Sequence, residues 1–204
     1  MQKIENIIFD LGGVLLDIDY NLTRVAFEKL GVVQFDEMYS QAKADKLFQK
    51  LETGEISDEE FYKEMNRSTG LNLSEKEIRE AWNAMLLSFR EESLTFLDQI
   101  RDQYKIYLLS NTNQIHHVSF YEIYHQKERK KSFEQYFDKA FYSFEIGLRK
   151  PEAVCYEWVL KDLQIAPEKT LFIDDSINNI EGAKIVGLQT VHLTAEKKIE
   201  NLGL

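Results

Sequence analysis

The chain has one cysteine and two prolines among 204 residues, and each scarcity closes off a class of protein. Cys155 has no second cysteine to pair with, so an internal disulfide framework is excluded and nothing points to an oxidising compartment. Pro151 and Pro167 alone make no proline-rich linker, and no internal repeat or low-complexity tract divides the sequence. No apolar run approaches the roughly 18–20 residues that span a bilayer. The opening residues also lack a signal peptide's apolar stretch and small-residue cleavage site. The expectation is a cytoplasmic protein without membrane association. Positive charge is in deficit too: 25 Lys and Arg against 35 Asp and Glu leave a net charge of −10, which argues against a nucleic-acid partner. A phosphate bound by such a chain needs cations supplied locally.

Hydrophobic residues make up 44% of the chain, enough to build a sizeable core. Short apolar runs at residues 4–9, 106–109, 140–142, 170–173 and 189–193 read as strands. Residues 91–103 and 152–164 carry apolar positions at three- and four-residue spacing. Residues 178–186 form a short helix pattern closed by Gly187. Strands alternating with helices predict an α/β fold, a Rossmann-like parallel sheet core with helices on both faces. Residues 20–90 interrupt that alternation. They are helix-patterned, with capping boxes at Ser57-Asp58-Glu59-Glu60 and Ser74-Glu75-Lys76-Glu77. So long a helical stretch exceeds one crossover, so the chain divides into a core of residues 1–16 and 91–204 and an inserted helical cap of residues 17–90.

Ligands of parallel sheets bind at the carboxyl ends of strands, and four polar clusters fall there. They are Asp10, Ser110-Asn111, Arg149-Lys150 and Asp174-Asp175. Asp10 is a residue type that accepts a phosphoryl group and later releases it to water. Three carboxylates in one crevice repel one another unless a cation intervenes, and Mg²⁺ suits hard oxygen ligands. Asp10, Asp174 and Asp175 with Mg²⁺ and Lys150 sum to zero charge. Ser110, Asn111 and helix N-terminal N–H groups then remain to support a phosphate. Alone, each cluster reads as a turn, a helix cap or a surface charge. Together and in this order they supply the positioning and charge stabilisation of phosphoryl transfer.

Phe9-Asp10-Leu11-Gly12-Gly13-Val14-Leu15, Leu109-Ser110-Asn111, Arg149-Lys150-Pro151 and Phe172-Ile173-Asp174-Asp175 resemble the four ordered motifs of the haloacid dehalogenase-like hydrolases. The continuation Asn178-Asn179-Ile180-Glu181-Gly182-Ala183 is similar to a subgroup that includes bacterial α-D-glucose-1-phosphate phosphatase and the phosphatase domain of soluble epoxide hydrolase. The resemblance implies a Mg²⁺-dependent phosphatase acting on a small phosphorylated metabolite, such as a sugar 1-phosphate, through a phospho-aspartyl intermediate. It makes Asp10 the nucleophile and a metal ligand, with the Gly12 carbonyl and Asp175 as further ligands and Asp174 ligating or supporting. It gives Ser110 and Asn111 the transferring phosphate, and Lys150 the tasks of stabilising its charge and orienting Asp10.

One position departs from the family pattern. Most family phosphatases carry an Asp two residues after the nucleophile as general acid/base, a role that typically contributes about 10²–10⁴-fold; here the residue is Gly12. The same subgroup also shows glycine there. Two explanations follow: a good leaving group such as an anomeric oxygen, or a proton from Asp17, Asp19 or a cap residue. Competing functions are a metal-independent haloacid dehalogenase, which Asp174-Asp175 disfavours, a phospho-acceptor domain, whose acidic pair would precede the acceptor, and a catalytically weak relative that binds phosphometabolites. His116 and His117 read as a helix-surface pair, Cys155 as a buried thiol, and Phe61, Tyr62, Trp82 and Phe89 as packing residues.

Overall fold

Asn6–Phe9 forms β1, buried on both faces, as suits an uncharged run in mid-sheet. The computed structural model describes residues 3–33, 35, 39, 40, 43, 44, 46–194 and 197–204. β1 pairs in parallel with β6 (Lys105–Ser110) on one side and β8 (Thr170–Asp174) on the other. β7 (Lys139–Tyr142) lies beyond β6 and β9 (Gln189–His192) beyond β8, giving a five-stranded parallel sheet of order β7-β6-β1-β8-β9. The chain therefore turns to opposite sides from β1 and β8, and the crevice between their carboxyl ends is the switch point where such sheets hold ligands.

Alternation along the strands separates two apolar layers. Ile7, Phe9, Ile106, Leu108, Leu171 and Ile173 face one side, where helices Glu91–Ile100 and Gln114–His125 cover them. Ile8, Tyr107, Leu109 and Phe172 face the other, under helices Ala153–Leu163 and Ile177–Ile185. This is the α/β fold read from the sequence, and the five strands fall within two residues of the five apolar runs. Cys155 is fully buried in the second layer, which pushes its thiol up to about 11 and leaves it inert.

Between β1 and β6 the chain leaves the sheet along β2 (Leu16–Ile18) and returns along β5 (Leu86–Phe89), an antiparallel ribbon too short to show a sequence period. Arg90 fastens its base: the guanidinium donates to Asp17 at 2.6 Å and to the Gly13 carbonyl at 2.6 Å. Helices Tyr20–Lys29, Lys46–Glu52, Asp58–Thr69 and Glu75–Asn83 follow the outward strand, and both expected capping boxes form. Ser57 accepts from the Glu60 N–H while Glu60 returns to the Ser57 N–H, and Ser74 and Glu77 repeat the pattern. These helices enclose a separate apolar cluster built on Phe27, Phe35, Phe48, Phe61, Met65 and Trp82. The expected insertion also includes residues 34, 36–38, 41, 42 and 45, which lie outside the described residues.

Candidate active site

Four loops deliver the site. Asp10 directly follows β1, and its N–H donates to the Ile173 carbonyl at 2.9 Å, fixing the end of β1 against β8. Asp174 ends β8, and Asp175 begins the turn into helix Ile177–Ile185. Carboxylate oxygens of Asp10, Asp174 and Asp175 all lie within 4.8 Å of one another. Lys150 is 1% exposed and spans the cluster: its Nζ donates to Asp10 Oδ1 and to Asp174 Oδ2, each at 2.7 Å. The four clusters read from the sequence thus meet in one crevice. Ser110, Asn111, Arg149, Gly12 and Asp175 line the same cavity, of about 390 Å³, as Asp10 and Lys150 do.

The two aspartates of the pair differ in their surroundings. Asp174 has no exposed surface and its oxygens are taken up: Oδ1 accepts from the Ser176 N–H at 2.8 Å, Asn179 Nδ2 reaches both oxygens at 3.0 Å, and Lys150 holds Oδ2. Asp175 is half-buried and faces the cavity. It lies hard against Gly13, whose φ of +71° and missing Cβ give the carboxylate room; a methyl group there would overlap it.

Burial lifts the Asp10 carboxyl to about 7; Lys150 opposes that shift, and Asp174 and Asp175 add to it. Burial alone would depress the Lys150 ammonium, but Asp10 and Asp174 outweigh it and hold Lys150 above its ordinary value, fully charged. One ammonium among three carboxylates leaves the cluster with excess negative charge. A divalent cation with a preference for carboxylate oxygen corrects this, and the donor set fits Mg²⁺.

Asn111 does something its motif did not foretell. Its amide Nδ2 donates to the Lys150 carbonyl at 2.8 Å and its Oδ1 accepts from the Lys150 N–H at 2.9 Å. The side chain thus clamps the loop that aims the lysine, while Ser110, buried at the end of β6, lines the cavity. Asp17 and Asp19, the candidate proton donors, are engaged elsewhere. Asp17 pairs with Arg90, and Asp19 caps helix Tyr20–Lys29 by accepting from the Asn21 N–H at 2.9 Å; neither lines the cavity.

The histidines correct the surface reading. His116 is 6% exposed, stacks on Trp82 with centroids 4.5 Å apart, and its Nε2 lies 3.2 Å from the Trp82 carbonyl, which fixes Nε2 as the protonated nitrogen. It lines the cavity, and burial lowers it to about 4, so the ring is neutral. His117 packs among Phe120, Tyr121, Tyr142 and Phe144. Tyr20, Tyr39 and Glu52 from the insertion also reach the cavity, and no motif marked them. The only available signal was their place in the helix-patterned stretch that interrupts the strand–helix alternation.

A parallel sheet with a carboxylate trio and a buried lysine at its switch point brings together the groups that phosphoryl transfer to a carboxylate needs. A family description of haloacid dehalogenase-like hydrolases matches residues 4–187, and the chain belongs to that family. It is 36% identical over 190 residues to a D-ribitol-5-phosphate phosphatase of Bacteroides thetaiotaomicron, covering 92% of this chain and 90% of that one. A sesquiterpene phosphatase of Aspergillus oryzae is 30% identical over 192 residues, or 92% and 88% of the two chains. Among solved structures, a haloacid dehalogenase family enzyme of B. thetaiotaomicron crystallised with magnesium and inorganic phosphate superposes with a TM-score of 0.87 at 33% identity, over 98% of this chain and 100% of that one. A family hydrolase of Porphyromonas gingivalis gives 0.86 at 31% identity, over 96% and 94%.

Proposed function

We propose that this family phosphatase hydrolyses a small sugar or polyol phosphate monoester in a Mg²⁺-dependent reaction, with Asp10 as nucleophile. The observation that carries the reading is the Asp10–Asp174–Asp175 trio, with Lys150 2.7 Å from two of its members, at the base of a 390 Å³ cavity. That volume lies near the small end of the ~300–1,000 Å³ typical of ligand sites. Mg²⁺ would be held by Asp10, Asp175 and the Gly12 carbonyl with Asp174 behind them, and supplies charge neutralisation for the transferring phosphoryl group. An Asp10 carboxylate oxygen attacks phosphorus, the ester P–O bond breaks, and the departing alkoxide takes its proton from water. Water then attacks the phospho-aspartate, releasing phosphate and restoring the carboxylate. Lys150 orients Asp10 and counters the developing charge, Ser110 holds the phosphate, and Asn111 positions Lys150. Residues 17–90 act as the cap over this crevice.

The ribitol-5-phosphate phosphatase relative acts, by its name, on a primary alcohol's phosphate, whose leaving group is an ordinary alkoxide. It supports a polyol phosphate over a sugar 1-phosphate. Retention of the full carboxylate trio supports catalysis over a binding-only or metal-independent dehalogenase role. Phosphate release from polyol and sugar phosphates should require Mg²⁺, stop with EDTA, and fall by at least about 10⁴-fold in Asp10→Asn. Turnover that survives either treatment refutes the mechanism.

A further inference from the structure

The cavity that holds the carboxylate trio is also lined by a second ion pair, one that joins the insertion to the loop carrying Lys150. Glu52, at the end of helix Lys46–Glu52, accepts from Arg149 Nε at 3.0 Å and from its Nη2 at 2.8 Å. The Glu52 side chain is 7% exposed and that of Arg149 20%. Tyr39 Oη approaches the other Glu52 oxygen at 3.4 Å. Arg149 precedes Lys150, so one loop aims one cation at the trio and the next at the insertion. The close approach extends past the pair: Gly54, at φ +67°, leaves no space for a side chain against the Phe144 carbonyl.

We infer that Glu52 and Arg149 form a charge filter that restricts the alcohol part of the ester to an uncharged, hydroxyl-bearing group. The inference rests on the phosphatase reading above. The described wall holds two cations, Lys150 and Arg149. Lys150 is engaged by Asp10 and Asp174, and Arg149 by Glu52. A substrate carrying a second anion finds no uncommitted positive charge there and meets the Glu52 carboxylate, whose side chain is largely buried, so that like charges repel more strongly than in open solvent. A hydroxyl group fits both halves of the pair, donating to Glu52 and accepting from Arg149, with the Tyr20 and Tyr39 hydroxyls on the same wall. An all-hydrocarbon tail would strip water from the pair and offer no hydrogen bond in return. Glu52 and Arg149 thus act on the alcohol part, away from the reacting phosphorus.

The test compares a pentitol 5-phosphate with the corresponding pentonate 5-phosphate, which differ only in CH₂OH against COO⁻ at the far carbon. Both are assayed on the full chain with saturating Mg²⁺, beside p-nitrophenyl phosphate. The wild-type protein should favour the pentitol ester in kcat/KM by about 100-fold. Glu52→Gln, which frees Arg149, should cut that ratio at least tenfold, chiefly by lowering KM for the pentonate ester; Glu52→Asp should restore most of it. The ratio within one variant is insensitive to a partial loss of folded protein. If Glu52→Gln does not fold, the wild-type and Glu52→Asp ratios decide. Wild-type values within threefold of each other, or a Glu52→Gln ratio equal to wild type, overturn the filter while leaving the phosphatase reading intact. Turnover of p-nitrophenyl phosphate with neither the pentitol nor the pentonate ester does the same. No phosphate release from any of the three esters overturns the phosphatase reading itself.

Discussion

At the sheet's carboxyl edge Lys150, 1% exposed, is held by two carboxylates; in the insertion Trp82, 0% exposed, is held by rings. Trp82 sits within 4.7–6.5 Å of Tyr39, Phe48, Phe61 and Phe35. Both side chains are buried, but they depend on different things. In the crevice each group's position is set by named partners, and removing one leaves a buried charge uncompensated. In the aromatic cluster the attraction is spread over many weak contacts, so a change costs volume and area with no unpaired charge. The first arrangement is intolerant of chemical change, and the second tolerates change that preserves size. This suits the proposed division of labour, with phosphoryl transfer in the fixed crevice and contact with the rest of the substrate from the insertion.

Substituting Lys150→Met should give the largest effect. It leaves Asp10 and Asp174 facing each other, costing about 3–5 kcal/mol of stability without Mg²⁺, with activity down at least about 10³-fold. Denaturant melts with and without Mg²⁺ check this, and a variant as stable as wild type without metal would place the crevice in the tolerant class. Trp82→Ala should cost about 3–5 kcal/mol through the cavity it opens. The loss should be regional, with amide exchange accelerating in residues 46–83 while β1, β6 and β8 keep their protection. Uniform loss of protection would show the two clusters to be one cooperative unit, whereas Trp82→Phe should retain most of the stability.

The smallest effect concerns His116, where the regions meet. Burial depresses its pKa from the ordinary 6.5 to about 4, so between those values the unfolded chain binds the proton and the folded chain does not. Its contribution is therefore full above pH 6.5 and lost as pH falls through 4, amounting to about 3 kcal/mol. His116→Gln should flatten the acid limb of the Tm-versus-pH curve. An acid limb identical to wild type would assign that sensitivity to other groups.

Much of this was legible in the residues because the signals were local. Apolar runs, two capping boxes and four polar clusters each occupy a few consecutive positions, and each reappears where expected except Arg149-Lys150, which helix Ser143–Ile146 separates from the end of β7. The Asn111 clamp on Lys150 was not legible: an Asn after Ser reads equally as cap, turn or ligand, and only the fold brings a loop 39 residues away against it. Asp17 drew attention by its spacing from Asp10, yet Arg90, 73 residues on, claims it. The histidine pair misled because nothing local shows what packs over the start of that helix; His116 is buried against Trp82, 34 residues earlier in the chain.

The sequence by itself determined the α/β alternation, the helical interruption and which polar groups would cluster at the sheet's carboxyl edge. These depend on side-chain chemistry and short-range periodicity, which the chain carries wherever it folds. Only the tertiary structure decided which carboxylate faces the cavity and which is sealed behind it, because Asp174 and Asp175 differ in partners and not in type. It also decided that Glu52, unmarked by any motif, would meet Arg149 across 97 residues at 3.0 Å. Long-range pairing depends on how the ribbon of β2 and β5 swings the insertion over the sheet, and no local pattern encodes that angle.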